Sequence, residues 1–243
     1  FIEADKLNVV LKIAQNELLV KLPVEVSGAA TVSEAYELKK IIKEKDEISG
    51  DSGDSFQFVN TGTIDKFKSL WGEKKTQYIK EGYFVPIVEK EKLRNIYPKR
   101  YQQANASKII VAGMSYVVEA LFDDGKILAG KSTSIILGDK SILIPLVCIL
   151  NSRLMDFWVR VNYNSLRMSG GYINIGVNEL KSLPIANFRN SQDQLVKAYC
   201  DRDFKQIDFW VYKSYNLTFD EVLIVDPETP ITREEYEDSI LNI

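Results

Sequence analysis

The stretch from Leu143 to Ile185 restricts the fold more than any other part of the chain. Leu146, Leu150, Leu154, Phe157 and Val161 recur at helical spacing, so one face of a helix over about Leu143 to Val161 is apolar. Arg153, Asp156 and Arg160 fall on another face, three and four residues apart. That spacing fits an intrahelical ion-pair pattern, and equally two arginines turned toward a partner. A polar, glycine-containing loop follows from Asn162 to Gly171 with Arg167 inside it, and the segment stops at Leu183-Pro184-Ile185.

The rest of the chain reads as mixed. A helix-rich start leads to a strand around Leu18 to Val26, and Thr31-Val32-Ser33-Glu34 has the form of a capping box before a short helix. From Phe56 to Leu137 the pattern is mainly strand-like, with Tyr116 to Phe122 and Lys131 to Leu137 expected to pair across the Asp-Gly turn at Asp124-Gly125. A second long helix is expected from Ser191, capped with Gln194 and bent near Asp203. An acidic tail with a strand-like run at Val222 to Val225 and a last helix from Thr232 completes it. The expectation is an α+β fold: a curved, mostly antiparallel sheet with an inserted long helix and a C-terminal helical segment. Residues 1–189 would form the recognition core. Residues 190–243 would pack on the same unit.

Composition removes several kinds of chemistry. The 243 residues include no histidine, which excludes Ser-His-Asp and Cys-His nucleophilic sites and histidine-bound metals. Cys148 and Cys200 lie in apolar helical patterns and read as buried free thiols in a reducing cytoplasm. The longest apolar runs are too short and interrupted to cross a bilayer. The first residues, Phe1-Ile2-Glu3-Ala4-Asp5, have no initiator Met and carry acids where a signal peptide is basic, so a piece of a longer polypeptide without a signal peptide is expected. The net charge of −3 conceals a segregation: −4 over residues 1–60, +8 over 61–190 and −7 over 191–243. A basic centre between acidic flanks suits a face that meets a polyanion.

Residues Gly125 to Ser132 match the phosphate-loop pattern G-x-x-x-x-G-K-[ST] in full. That chemistry needs backbone amides followed by a helix N-terminus. Here the central positions are Lys-Ile-Leu-Ala and the following residues, Thr133-Ser134-Ile135-Ile136, are rich in β-branched side chains. A β-hairpin with an Asp-Gly turn is therefore the favoured reading. A nucleotide-binding enzyme using Lys131 and Ser132, and a basic-patch protein-interaction module, stand as alternatives.

The motifs in order resemble a known family. Gly28-Ala29-Ala30-Thr31 with Tyr36, then Phe58-Val59-Asn60-Thr61-Gly62-Thr63-Ile64 with Phe67 and Trp71, resemble its opening turn and strand. Lys108 to Asp123 with Thr133, Leu150-Asn151-Ser152 to Phe157, Leu183-Pro184-Ile185, and Ile207-Asp208 to Glu221 follow in family order. The chain thus resembles the TaqI-like C-terminal specificity domain of bacterial DNA adenine methyltransferases and combined restriction-modification enzymes. The resemblance implies a non-catalytic fragment with no cofactor of its own. It would read duplex DNA for a separate S-adenosylmethionine-dependent catalytic domain that flips the target adenine, with an endonuclease in the same parent chain left open by the resemblance.

On that resemblance the cations acquire roles. Lys66, Lys68, Lys74, Lys75, Lys99, Arg100, Lys108 and Lys131 are candidates to neutralise phosphates. Arg153, Arg160 and Arg167, with Asn162 and Asn164, carry the groups that pair with guanine and adenine edges. Thr31 and Ser132 complete the DNA-binding set. Trp71, Trp158 and Trp210 are expected to be core or interface aromatics.

Overall fold

The computed structural model describes residues 4–47, 54–163 and 170–238. Its fold is α+β, with strands paired mostly antiparallel and helices gathered toward the C-terminus. Two four-stranded sheets carry it rather than one continuous curve.

The first sheet has the order β12 (Ala120–Asp124), β10 (Ser107–Ala112), β14 (Thr133–Leu137), β2 (Glu25–Gly28), all antiparallel. The run Ile109-Ile110-Val111-Ala112 is continuous in apolar residues because it is buried on both faces. Ile109 and Val111 join the main core, while Ile110 and Ala112 face a cluster that includes Val59, Ile127 and Ala129. The second sheet has the order β13 (Ile127–Ala129), β4 (Ser55–Val59), β9 (Pro86–Glu89), β3 (Lys43–Glu44). Its β13–β4 pair is parallel. Phe56, Phe58 and Leu128 pack there with Leu38 of α2 (Val32–Ile41), Leu93 of α3 (Lys90–Ile96) and Ala104 of α4 (Pro98–Asn105).

The main core sits between the first sheet and the helices α1 (Ala4–Ala14), α5 (Lys140–Asn151), α6 (Arg153–Asn162), α7 (Val177–Lys181), α8 (Gln192–Asp201), α9 (Phe204–Ser214), α10 (Phe219–Val225) and α11 (Arg233–Asp238). Small two-stranded pairs complete the fold. They are β1 (Glu17–Leu18) with β16 (Pro184–Ile185), β5 (Ile64–Asp65) with β6 (Lys68–Ser69), β7 (Thr76–Tyr78) with β8 (Glu81–Tyr83), and β11 (Met114–Ser115) with β15 (Ile173–Asn174).

Several sequence expectations are corrected. The single helix over Leu143 to Val161 is two helices, α5 and α6, meeting at 61°. Ser152 is extended and caps α6, its hydroxyl accepting the Met155 N–H at 3.2 Å. Asn151, 4% exposed, uses its amide on both backbone groups of Ala120: Nδ2 donates to the carbonyl at 2.8 Å and Oδ1 accepts the N–H at 3.0 Å. The break is therefore fixed by packing that helical periodicity does not register.

The Asp-Gly turn does not close the expected hairpin. Gly125 at φ +80° sends the chain out of the first sheet, and β13 pairs with β4 in the second. A Cβ at Gly125 would lie 2.5 Å from the Asn105 carbonyl oxygen, so no other residue fits this crossing without a shift. Strands β12 and β14 both pair with β10 and not with each other. Ser132 leads into strand β14 and not into a helix, which removes the phosphate-loop reading.

The strand expected over Leu18 to Val26 is two short strands separated by a 3₁₀ turn, and Val222 to Val225 belongs to α10. Thr218 caps that helix in a capping box with Glu221, and its local signal overrides the apolar run. Ser191 does not cap α8 with its side chain but shares a hydrogen bond with Ser214 Oγ at 2.6 Å. The expected bend near Asp203 is a full break: Arg202 is left-handed at φ +54° and Asp203 caps α9. Cys148 is buried, but Cys200 is exposed. Among the described residues no single helix is long and apolar enough to cross a membrane.

Candidate nucleic-acid interface

One end of the first sheet gathers loops from five parts of the sequence. They are residues 27–33, 60–64, 113–118, 129–133 and 170–176, and none contains Asp or Glu although the chain has 34 of them. Hydrogen bonds link them in turn. Ala29 N–H donates to the Thr133 carbonyl at 3.2 Å, and Gly113 N–H to the Ser132 carbonyl at 3.0 Å. A Cβ at Gly113 would sit 2.6 Å from that oxygen, so glycine permits the approach. Ile175 N–H donates to the Gly113 carbonyl at 3.0 Å, in line with the β11–β15 ladder.

Asn60 and Thr61 act as the fasteners. Asn60, 7% exposed, donates from Nδ2 to the Gln77 carbonyl at 2.9 Å and accepts the Ser132 N–H on Oδ1 at 3.2 Å. The Thr61 hydroxyl donates to the Met114 carbonyl at 3.0 Å and accepts the Met114 N–H at 3.1 Å. Loops held this way present their remaining side chains at fixed positions. Those side chains include Lys131 and Ser132, both exposed, and Met114, Tyr116 and Tyr172. Lys131 has no ion-pair partner among the described residues. Thr31 lies at the same end as the N-cap of α2, its hydroxyl accepting the Glu34 N–H at 3.3 Å.

A second region, of mixed charge, is an open groove of about 670 Å³ lined by Lys66, Lys68, Arg153 and Arg202 together with Asp65, Asp156 and Asp208. Val117, next after Tyr116, lines it too, so the groove adjoins the loop end. Lys66 is partly spent: its ammonium donates to Asp156 Oδ2 and to the Asn151 carbonyl, both at 2.7 Å. Burial pushes the Asp156 carboxyl above its ordinary range, and Lys66 beside it opposes that. Burial also raises Asp208, to about 6, against the Arg153 N–H that it accepts at 2.8 Å. Lys68 is more open and stands 3.8 Å from Glu73.

The predicted cations therefore separate. Arg153 and Arg160 are exposed on α6, but Asp156 between them is 4% exposed and pairs with Lys66, so no intrahelical ion-pair ladder forms. Arg160 Nε donates to the Asp156 carbonyl at 3.2 Å, and Asn162 Nδ2 to the Trp158 carbonyl at 3.0 Å. Lys99 is exposed on α4, which packs on the second sheet. Asn164 and Arg167 lie outside the described residues. Trp158 is buried, while Trp71 is half-buried with Nε1 donating to the Pro86 carbonyl at 2.7 Å.

Two of the candidates are corrected outright. Lys108 is 1% exposed, and its ammonium is closed around Asp123 and the carbonyls of Ala104, at 2.7 Å, and Ala106. Burial lowers its pKa, opposed by the Asp123 charge. Arg100 is 8% exposed, with Nε and Nη2 on the two Glu34 oxygens at 3.1 and 2.8 Å and Nη1 on Gln103 and the Gly28 carbonyl. Its guanidinium holds the Glu34 carboxyl down at about 2. Both cations are enclosed and paired with carboxylates. Both hold strand ends and helices together.

Near the loop end, Glu119 follows Val118 and is half-buried. Burial and then Asp65 push its carboxyl up to about 7, so much of it is neutral at neutral pH. The residues that sequence reasoning passed over here are Met114, Tyr116 and Tyr172. The signal available for them was the missing carboxylates across five separate loops.

The chain is similar to known proteins in sequence pattern and in fold. The family model of the TaqI-like C-terminal specificity domain matches residues 61–185. No curated protein sequence matches the chain. Among solved structures, the type IIG restriction endonuclease BpuSI is similar over 93% of this chain, at 10% identity and a TM-score of 0.54. The type IIL restriction-modification enzyme MmeI, solved in complex with DNA, aligns over 91% of the chain at 10% identity and a TM-score of 0.39. The chain spans 34% and 36% of those two proteins.

Proposed function

The chain belongs to the family of TaqI-like C-terminal specificity domains, and on that premise we propose that its acid-poor loop end reads duplex DNA. The observation that carries the reading is the set of five loops from distant parts of the sequence, fastened by Asn60 and Thr61, with hydroxyls, aromatic rings and Lys131 facing out and the half-buried Glu119 as an acid beside them. A duplex presents phosphate charge and base-edge donors and acceptors, and such a surface meets both without repulsion. Lys131 would take a phosphate, and Ser132 and Thr31 would lie along the same backbone. Lys68 and Arg153, on the adjoining groove, would hold flanking phosphates.

In this reading the chain is not itself catalytic. It would hold DNA for a separate adenine-N6 methyltransferase domain, with S-adenosylmethionine bound there, while the acidic flanks face that domain or solvent. A parent polypeptide or neighbouring gene that encodes an Asn/Asp-Pro-Pro-Tyr/Phe motif would support the methyltransferase partner.

The direct test is fluorescence anisotropy of labelled duplexes of mixed sequence with the 243-residue chain, across a salt series. Affinity should fall steeply with salt, by about one unit of log–log slope for each phosphate contact. Equal affinity at low and high salt would reject DNA binding through this basic surface.

A further inference from the structure

Tyr116 and Tyr172 stand against each other at the loop end with ring centroids 4.2 Å apart and planes at 27°. They are 55% and 38% exposed, and Met114 beside them in sequence is 43% exposed. Tyr212, Tyr215 and Tyr236 are covered in the core, while Tyr36, Phe84 and Phe204 are exposed as these two are. These two are displayed, and their supports are stiff. Met114 pairs with Asn174 and Ser115 with Ile173, so both rings spring from one short ladder. Gly170 and Gly171 have φ of +93° and +84°. The position of a Cβ at Gly171 would be 3.6 Å from the Tyr116 ring, and that of one at Gly170 3.6 Å from the Tyr172 ring. Glycine backbone thus lies against the stack.

The surroundings favour a polyanion with flat apolar faces over an acidic or purely apolar partner. Residues 113–118 and 170–176 carry no carboxylate, and the neighbouring 129–133 loop adds only Lys131 as a charge. A nucleic acid base offers such a face, and base–aromatic stacking tolerates any base. In a fully paired duplex the faces are covered, so a ring gains stacking only where a base step opens.

We infer that the Tyr116–Tyr172 stack is a ready-made wedge that stacks on bases at an opened step of the bound duplex. The inference rests on the proposed DNA reading and adds to it a dependence on how easily the duplex deforms, apart from base-edge contacts.

The test compares short duplexes of mixed sequence, fully paired or carrying one central mismatch, by anisotropy at low salt with the whole chain. The mismatched duplex should bind about ten-fold more tightly than the paired one. Tyr116→Ala and Tyr172→Ala should reduce that ratio to below about two-fold, the larger loss falling on the mismatched duplex. Tyr116→Phe and Tyr172→Phe should keep it. Tyr172→Leu, which retains bulk without a π face, should behave like the alanine variants and guards against a folding defect. Binding of both duplexes with no preference, or a preference unchanged in correctly folded alanine and leucine variants, overturns the wedge and leaves DNA recognition standing. Failure to bind either duplex overturns DNA recognition and the wedge with it.

Discussion

Lys108 and Lys131 lie near opposite ends of the same antiparallel sheet. At the far end Lys108, Asp123, Asp124 and Lys140 close on one another, with Asp123 also accepting the N–H groups of Lys126 and Ile127. At the near end Lys131 stands in solvent without an ion-pair partner among the described residues, and an acid beside these loops, Glu119, is half-buried and raised to about 7. The strands are shared, and only the connections differ. A lysine in a basic stretch of sequence can thus be a rivet or a contact, and what separates the two is whether the turn across the sheet supplies a carboxylate. The far end closes each charge on a partner. The near end leaves its charge open to a partner.

The largest effect expected from this contrast is at the far end. Lys108→Met leaves the Asp123 charge buried without its cation and should cost about 3–5 kcal/mol in urea unfolding. Lys108→Met with Asp123→Asn should recover most of that, because the pair is replaced together. A loss below about 1 kcal/mol for the single variant would show that the far end is not held by charge.

Arg100→Ala comes next. It frees Glu34 and the Gly28 carbonyl and should cost about 2 kcal/mol, loosening the start of α2. Glu34 is depressed to about 2, so its contribution is complete above its ordinary 4.5 and fades as pH falls from there toward 2. Unfolding measured between pH 6 and pH 2 should show that acid loss in the wild type and a flatter profile in Glu34→Gln. Equal slopes would remove the Arg100–Glu34 pair from the account.

At the near end the effects are smaller and of opposite sign. Glu119 is raised to about 7, so the folded chain keeps a proton that the unfolded chain releases above 4.5. Stability associated with this group is full below 4.5 and lost as pH rises through about 7. Glu119→Gln should therefore stabilise by about 1 kcal/mol at pH 8, after allowance for solvent screening, and by almost nothing at pH 4. Chemical denaturation at the two pH values decides it, and a gain that does not depend on pH would refute the assignment.

The smallest expected change in stability is for Lys131→Ala, within about 0.5 kcal/mol of wild type. Its signature is instead in DNA binding, where the log–log salt slope should drop by about one. A variant that unfolds easily, or binds with an unchanged slope, would erase the contrast with Lys108.

What the sequence made legible follows from the range of each signal. Strands β10 and β14, the capping box of α2, the last helix after Thr232 and the α+β class rest on local periodicity and side-chain caps, which short windows carry. The division of α5 from α6 was hidden because Asn151 is committed to Ala120, 31 residues away. The crossing at Gly125 was hidden for a similar reason: an Asp-Gly pair reports a turn but not which sheet receives the chain. In the candidate site, Lys131, Ser132 and Thr31 were named and fall together, whereas Lys108 and Arg100 were named and are buried. Their partners, Asp123 and Glu34, lie 15 and 66 residues away, and charge counting over a segment does not see pairing.

The Asn151–Ala120 clasp has one more consequence. Strand β12 is the outermost of its sheet, and an open strand edge invites another chain to add itself there. Both backbone groups of Ala120 are occupied by the Asn151 amide, and the Ala120 carbonyl also accepts the Phe67 N–H at 2.8 Å. The first rung that an incoming strand would need is already filled from within. Asn151→Ala would free the Ala120 N–H for an incoming strand, and the change would register as aggregation on concentration or mild heating.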